Sequence, residues 1–264
     1  MLSTHSSTSL SLTALSGIPL VRPGDDLVEY ILKGLRSERL YLTDGDILVI
    51  AQKVVSKAEG RYIRLDNVQP STRAKQLAEA AGKDPRLVEL ILFESREILR
   101  YRPGVIIVVN RQGLVLANAG IDHSNVERDG DVEQVLLLPA DPDASAACIC
   151  SDLREQTQVS VAVIINDSIG RAWRNGTTGT AIGVAGLPAL LDLRGHPDLF
   201  GEPLRVSEEA VADELAAAAS LLMGQADEGQ PIVLLRGFRC DAETGTAQDL
   251  IRAKGQDFFR EPKQ

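Results

Sequence analysis

Apolar and polar positions alternate along this chain in two rhythms. Continuous apolar runs of strand length occur at residues 46–52, 104–110, 114–118, 135–138, 159–165 and 231–237. Such runs, rich in Val, Ile and Leu, predict strands buried on one or both faces. Residues 104–110 and 114–118 are joined by Arg111-Gln112-Gly113, with Gly where a positive φ is wanted, and so predict an antiparallel hairpin. Helical periodicity fills the gaps. Asp25 or Asp26 caps a helix to about residue 36, and Ser71 or Thr72 one to Ala81 that Gly82 stops. Further helices are predicted from Asp84 to about residue 100, from Asp143 to about 156, and from Ser207, with Glu208 and Glu209 in its first turn, to about 223. Strands and helices mix without strict alternation. The predicted class is therefore α/β with a mixed sheet, or α+β, rather than a doubly wound Rossmann sheet.

The length of 264 residues suits one large domain or two intertwined small ones. Residues 1–14, rich in Ser and Thr and without Lys or Arg, read as a disordered leader. Residues 15–242 form the main domain, and 243–264 a polar, peripheral tail. No apolar run reaches the roughly 18 residues that a membrane span needs. Three cysteines, Cys148, Cys150 and Cys240, fit a reducing compartment, so a cytoplasmic location is expected. A net charge of -9 disfavours binding to a nucleic-acid backbone. Any anion site must then be local, built from a few basic side chains, backbone amides or metal ions.

The chain has no G-x-G pair for a dinucleotide fingerprint and no P-loop, so a nucleotide would need other machinery. Nor do His5, His123 and His196 have the spacing of a hydrolytic triad. The chemistry-bearing segments are elsewhere. Asn118-Ala119-Gly120-Ile121-Asp122-His123-Ser124-Asn125 follows a strand, and Asn166-Asp167-Ser168-Ile169-Gly170-Arg171 follows the most apolar one. Asp122 and Asp167 are oxygen ligands suited to a hard divalent cation, with Arg171 and Arg174 close behind. Asp122 also fits an ordinary Asx turn. Ser56-Lys57-Ala58-Glu59-Gly60 offers a hydroxyl and an ammonium to a phosphate, or is a solvated turn. Gly176, Gly179, Gly183 and Gly186 either bring amides to phosphates or serve turns and close packing. Met223-Gly224-Gln225 reads first as a glycine C-cap.

Taken in order, Gly17-Ile18-Pro19-Leu20, Ser56 to Gly60, Asn118 to Asp122, Asp167-Ser168 with Gly170-Arg171, Gly183, Leu222-Met223-Gly224 and Arg236-Gly237 resemble the F420-0:gamma-glutamyl ligases, the coenzyme F420:L-glutamate ligases. Each segment is weak alone; seven in order over most of the chain are specific. The resemblance implies that family's uncommon α/β fold, in its stand-alone form, and an intertwined homodimer. It implies an enzyme of coenzyme F420 biosynthesis that joins L-glutamate to the lactyl carboxylate of F420-0, then adds gamma-linked glutamate to F420-1. GTP would be consumed through an acyl phosphate, with Mg2+ or Mn2+ at two sites and with K+. It carries metal ligation to Asp122, Asp167, Ser168 and Gln225. GTP contacts map to Gly17, Ile18, Pro19, Leu20, Ser56, Lys57, Asn125, Met223 and Gly224, and Lys57 and Arg171 are the catalytic cations. The family usually has Thr where Ser168 stands, which keeps the hydroxyl. A nucleotide-binding regulator without turnover and a metal-dependent phosphohydrolase are the rival readings.

Overall fold

The computed structural model describes residues 9–124, 126 and 133–257. The chain runs β1 (Ser11–Ala14), α1 (Leu27–Ser37), β2 (Ile47–Ala51), α2 (Gln52–Ala58), β3 (Tyr62–Arg64), α3 (Thr72–Ala81), α4 (Pro85–Phe93) and the strands β4 (Ser95–Arg102), β5 (Val105–Asn110), β6 (Val115–Ala117) and β7 (Gln134–Leu136). It continues through α5 (Pro142–Thr157), β8 (Ala162–Gly170), β9 (Thr177–Ala185), β10 (Leu191–Asp192), β11 (Glu208–Glu209), α6 (Val211–Met223) and β12 (Ile232–Arg236).

A five-stranded sheet in the order β1-β12-β2-β8-β9 organises the molecule. Only β2 and β8 pair in parallel; the other neighbours are antiparallel. This is the mixed α/β sheet expected from the sequence. The two-residue period of its strands divides the core between both faces. Leu48, Ile50, Val163, Ile165, Ile232 and Leu234 face one layer, where Val28 and Ile31 of α1 and Ile149 and Leu153 of α5 pack. Ile47, Val49, Ala162, Ile164, Val233 and Leu235 face the other, against Leu215, Ala216 and Ala219 of α6. Each such buried aliphatic side chain contributes about 1.5–3 kcal/mol, so this sheet carries most of the core. A second, smaller layer packs α3 and α4 on the antiparallel β4-β5-β6 sheet through Leu77, Val88, Ile91, Ile106 and Val108.

Helix starts follow the capping chemistry. Asp26, Ser71, Asp84 and Asp141 each accept a hydrogen bond from a backbone N–H of the first turn, and Gly82 ends α3 at φ 58°.

Five expectations are corrected. The helix from Asp84 stops at Phe93, and the next residues form β4, an edge strand on β5. Ser207 does not start the last helix: Glu208 and Glu209 pair with Asp192 and Leu191, and the helix begins at Val211 without a side-chain cap. The expected leader contributes β1, whose four residues pair with β12. The tail is partly docked, since Ala247 is buried and its N–H bonds Asp143 Oδ1 at 2.8 Å. The glycine-dense segment is strand β9, not a loop. A Cβ on Gly183 would lie 2.4 Å from the Pro142 carbonyl oxygen, and one on Gly179 2.4 Å from that of Ala216. These glycines let α5 and α6 approach the sheet, so the close-packing reading of the segment holds.

Candidate functional site

The site forms where the parallel pair ends. β2 stops at Ala51, opposite Asn166, and the chain turns at once into α2. β8 runs on past that point, paired only with β9, so Asp167 and Ser168 project at the carboxyl edge of the parallel strands. Open sheets leave a crevice there.

Asp122 arrives from the smaller layer on an unusual backbone. Asn118, Ala119 and Gly120 have φ 51°, 56° and 73°, three consecutive left-handed residues. Asn tolerates that region, and its Oδ1 accepts the Ile106 N–H at 3.1 Å. Gly120 is required twice over: its φ is positive, and a Cβ there would meet Leu138 Cδ1 at 2.7 Å. The left-handed turn swings Asp122 into a two-bond antiparallel bridge with Leu136, which aims its side chain at α2. Among the described residues, the side chain's partners are on α2 and no Asx-turn bond is present. The carboxylate accepts Gln52 Nε2 at 2.5 Å and pairs with Lys53 Nζ at 2.5 Å. Gln52 is fixed in turn by the Ser56 hydroxyl, 2.9 Å from its Oε1.

Asp167 is short of compensation. Burial first, and then the negative charge of Asp122, push its carboxyl up to about 6; the Ser168 N–H, at 2.8 Å, and the charge of Lys53 only partly oppose this. Two coupled carboxylates thus share one nearby ammonium. A divalent cation suits that deficit. The oxygen donors present, the two carboxylates with the Ser168 hydroxyl and the Gln225 amide, are those of Mg2+ or Mn2+. Among the described residues no group of three or more His, Cys, Asp and Glu converges. The set therefore fits a cation that keeps waters and takes substrate phosphates, not a closed protein cage.

The carboxylates open into a cavity of about 420 Å³. Its wall brings together Ile18, Pro19, Leu20, Lys57, Asp122, Asp167, Ser168, Met223, Gly224 and Gln225. Gly17 adjoins this wall at φ 71°, with open space where a Cβ would stand. Two candidates do not reach it. Ser56 is fully buried and bonded to Gln52, so it supports the site from behind and cannot meet a phosphate. Arg171, with Arg174, is exposed in the turn between β8 and β9, off the cavity wall. Asn125 lies outside the described residues. Gly224 is both the C-cap of α6, as its sequence context suggests, and part of the wall.

Sequence reasoning missed Gln52 and Lys53. The signal was available: Lys53 stands one helical turn before Lys57, so both present ammonium groups to one side of a helix that leaves a strand end. Asn166, too, has a role, as part of the wall. Its Oδ1 accepts the Thr180 N–H at 3.0 Å where the β8–β9 register shifts, and its amide donates to Ser220 Oγ at 3.0 Å.

Comparison with known proteins places this geometry in context. The F420-0:Gamma-glutamyl ligase family matches residues 17–237. The chain is 49% identical over 256 residues to the coenzyme F420:L-glutamate ligase of Methanothermobacter thermautotrophicus, covering 95% of this chain and 99% of that protein. It is 48% identical to the coenzyme F420:L-glutamate ligase of Methanopyrus kandleri, over 91% of this chain and 93% of that one, and 38% identical to that of Methanosarcina mazei, over 94% of each.

Proposed function

This chain belongs to the F420-0:gamma-glutamyl ligase family, and from that premise we propose that it is a coenzyme F420:L-glutamate ligase driven by GTP. The lactyl carboxylate of F420-0 attacks the γ-phosphorus of GTP, the bond to the β-phosphate oxygen breaks, and GDP leaves. The amine of L-glutamate then attacks the acyl phosphate carbon, inorganic phosphate leaves, and a proton is released. The next glutamate is joined through the γ-carboxylate of the first.

One observation carries this reading. Residues from six separated stretches, between Ile18 and Pro231, meet on one cavity whose wall holds the carboxylates of Asp122, Asp167 and Glu228 and two lysines. GTP, F420-0 and glutamate are all anionic, so a protein of net charge -9 needs concentrated positive charge at the reacting phosphates. Asp122 and Asp167, with Ser168 and Gln225, would hold Mg2+ or Mn2+, which supplies charge neutralisation of phosphate oxygens. Lys53 and Lys57 present ammonium groups to the same space. The segment from Ile18 to Leu20 and Met223-Gly224 form the wall on which the nucleotide rests. We also propose a homodimer and a stimulating K+ site, both on the family resemblance alone. No described helix is long and apolar enough to cross a membrane.

The test is phosphate release from GTP with Mg2+ or Mn2+, with and without F420-0 and L-glutamate, with products weighed by mass spectrometry. Release that needs both substrates, and a product heavier by glutamyl units, supports the ligase. GTP hydrolysis indifferent to glutamate, with no glutamyl product, refutes it.

A further inference from the structure

Consecutive residues of a strand face opposite sides of its sheet. At the end of β8, Asp167 faces Asp122 and α2, whereas Asn166, in step with Ile164, faces α6. Asn166 is buried where β2 ends opposite it and where the β8–β9 register slips, from Ile165 beside Gly183 to Asn166 beside Ala181. Its amide is bonded on both sides. Oδ1 accepts the Thr180 N–H of β9 at 3.0 Å. Nδ2 donates to Ser220 Oγ at 3.0 Å and to Met223 Sδ at 3.4 Å. One side chain thus ties β9 to the last turn of α6. A carboxylate could not donate these bonds, and an aliphatic group could neither donate nor accept them. The fit is close: a Cβ on Gly179 would lie 2.7 Å from Asn166 Oδ1.

What α6 carries into the cavity depends on this tie. The Ser220 carbonyl accepts the Gly224 N–H at 3.2 Å and closes the helix. Just beyond, Glu228 Oε2 accepts the Ala226 N–H at 2.8 Å, and its carboxylate lies over Gly224 where no Cβ would fit. The stretch from Gly224 to Glu228 is therefore a turn bonded to itself, placed by the end of α6. Gln225 stands in that turn, on the cavity wall with Asp167.

We propose that Asn166 is a positioning residue for the cation and nucleotide site: its amide sets the last turn of α6 against β8, and so sets where Gln225 stands relative to Asp167. Asn166 acts through Gln225. Its role rests on the proposed reading of Asp167 and Gln225 as cation ligands.

The test is a double-mutant cycle on Mn2+ affinity, read by electron paramagnetic resonance with GDP present, in the parent, Asn166→Ala, Gln225→Ala and the double variant. Asn166→Ala should weaken Mn2+ binding by about fivefold to tenfold, the value of one or two neutral hydrogen bonds. In the Gln225→Ala background the same change should cost less than about twofold, because residues that act through one another are not additive. Ser220→Ala keeps the Thr180 bond and so spares the sheet; it should weaken binding by about twofold to threefold, again only while Gln225 is present. In steady-state kinetics Asn166→Ala should raise KM for GTP more than it lowers kcat. Equal losses with and without Gln225, unchanged Mn2+ affinity in both Asn166→Ala and Ser220→Ala, or a fall in kcat alone would each overturn the positioning role and leave the ligase reading standing. A parent that binds no Mn2+ with GDP would overturn both.

Discussion

Two carboxylates of the five-stranded sheet, one buried and one half-buried, have opposite fates. Asp46, just before β2, is 1% exposed. It accepts Arg236 Nε at 2.8 Å and Nη2 at 2.7 Å, and the Thr43 N–H at 2.8 Å. Burial alone would raise its pKa, but the bonds from Arg236 and Thr43 outweigh that and hold it below the usual carboxylate range. Asp167, at the far end of the neighbouring strand, is pushed up to about 6 by burial and by Asp122. The fold supplies a full counter-charge to the first carboxylate and leaves the second short. A structural acid is compensated by its own chain. Asp167 is not, and it lines the cavity in which we propose that a cation binds.

The widest separation of the two is expected from Asp167→Asn and Asp122→Asn. Each should lower kcat/KM for glutamyl transfer by about a thousandfold or more, the size of lost metal-based charge stabilisation. Thermal stability should hold or rise in Asp167→Asn, because like-charge repulsion is relieved, whereas Asp122→Asn also gives up the ion pair with Lys53. Steady-state kinetics with a melting curve decides, and activity within a few-fold of the parent would remove these residues from the site.

Asp46→Asn should do the reverse. Removing one partner of a buried bidentate pair costs about 2–3 kcal/mol here, discounted because Arg236 is partly in water. Denaturant unfolding would show this loss, with activity per folded molecule unchanged. The pH dependence sharpens the same point. A folded pKa below the unfolded value of about 3.9 means stability that is present above that value and lost as pH falls through the folded one. The parent should therefore lose stability more steeply with acid below about pH 4 than Asp46→Asn does. Equal slopes would contradict the assignment.

Gly183→Ala should cost about 1–3 kcal/mol by forcing α5 off β9, since the obstacle is backbone. A melting temperature equal to the parent's would show that the helix shifts freely. The smallest effect is expected from Ser56→Ala, about 1 kcal/mol with a few-fold loss of activity, because the hydroxyl only orients Gln52 behind Asp122. A loss as large as that of Asp122→Asn would mean that Ser56 reaches substrate after all.

Much of the two main sheets was legible in the sequence because β2, β5, β12 and the first half of β8 are buried on both faces or nearly so, and read as unbroken apolar runs. Helix α3 was legible to the residue from Ser71 and Gly82. Three features were hidden for physical reasons. β9 carries glycines that normally signal turns, while here they make room for helices. β4 follows α4 with no Gly or Pro between them, so nothing local announces the change. Glu208 and Glu209 have the look of a helix N-terminus but serve a two-residue bridge with β10. At the site, Asp122, Asp167 and Ser168 were named from their place after strands, and the fold brings them to one cavity. Lys53 was not named although its place one helical turn before Lys57 was readable; that it faces Asp122, across 69 residues of sequence, only the fold reveals.

The most direct test of the central claim is Mn2+ binding, read by electron paramagnetic resonance in the parent, Asp167→Asn and Asp46→Asn proteins with GTP present. The account predicts that the parent and Asp46→Asn bind Mn2+ with similar affinity, and that Asp167→Asn binds it at least about tenfold more weakly. Equal binding by all three would contradict it, and would mean that the Asp167 carboxylate is not there for a cation.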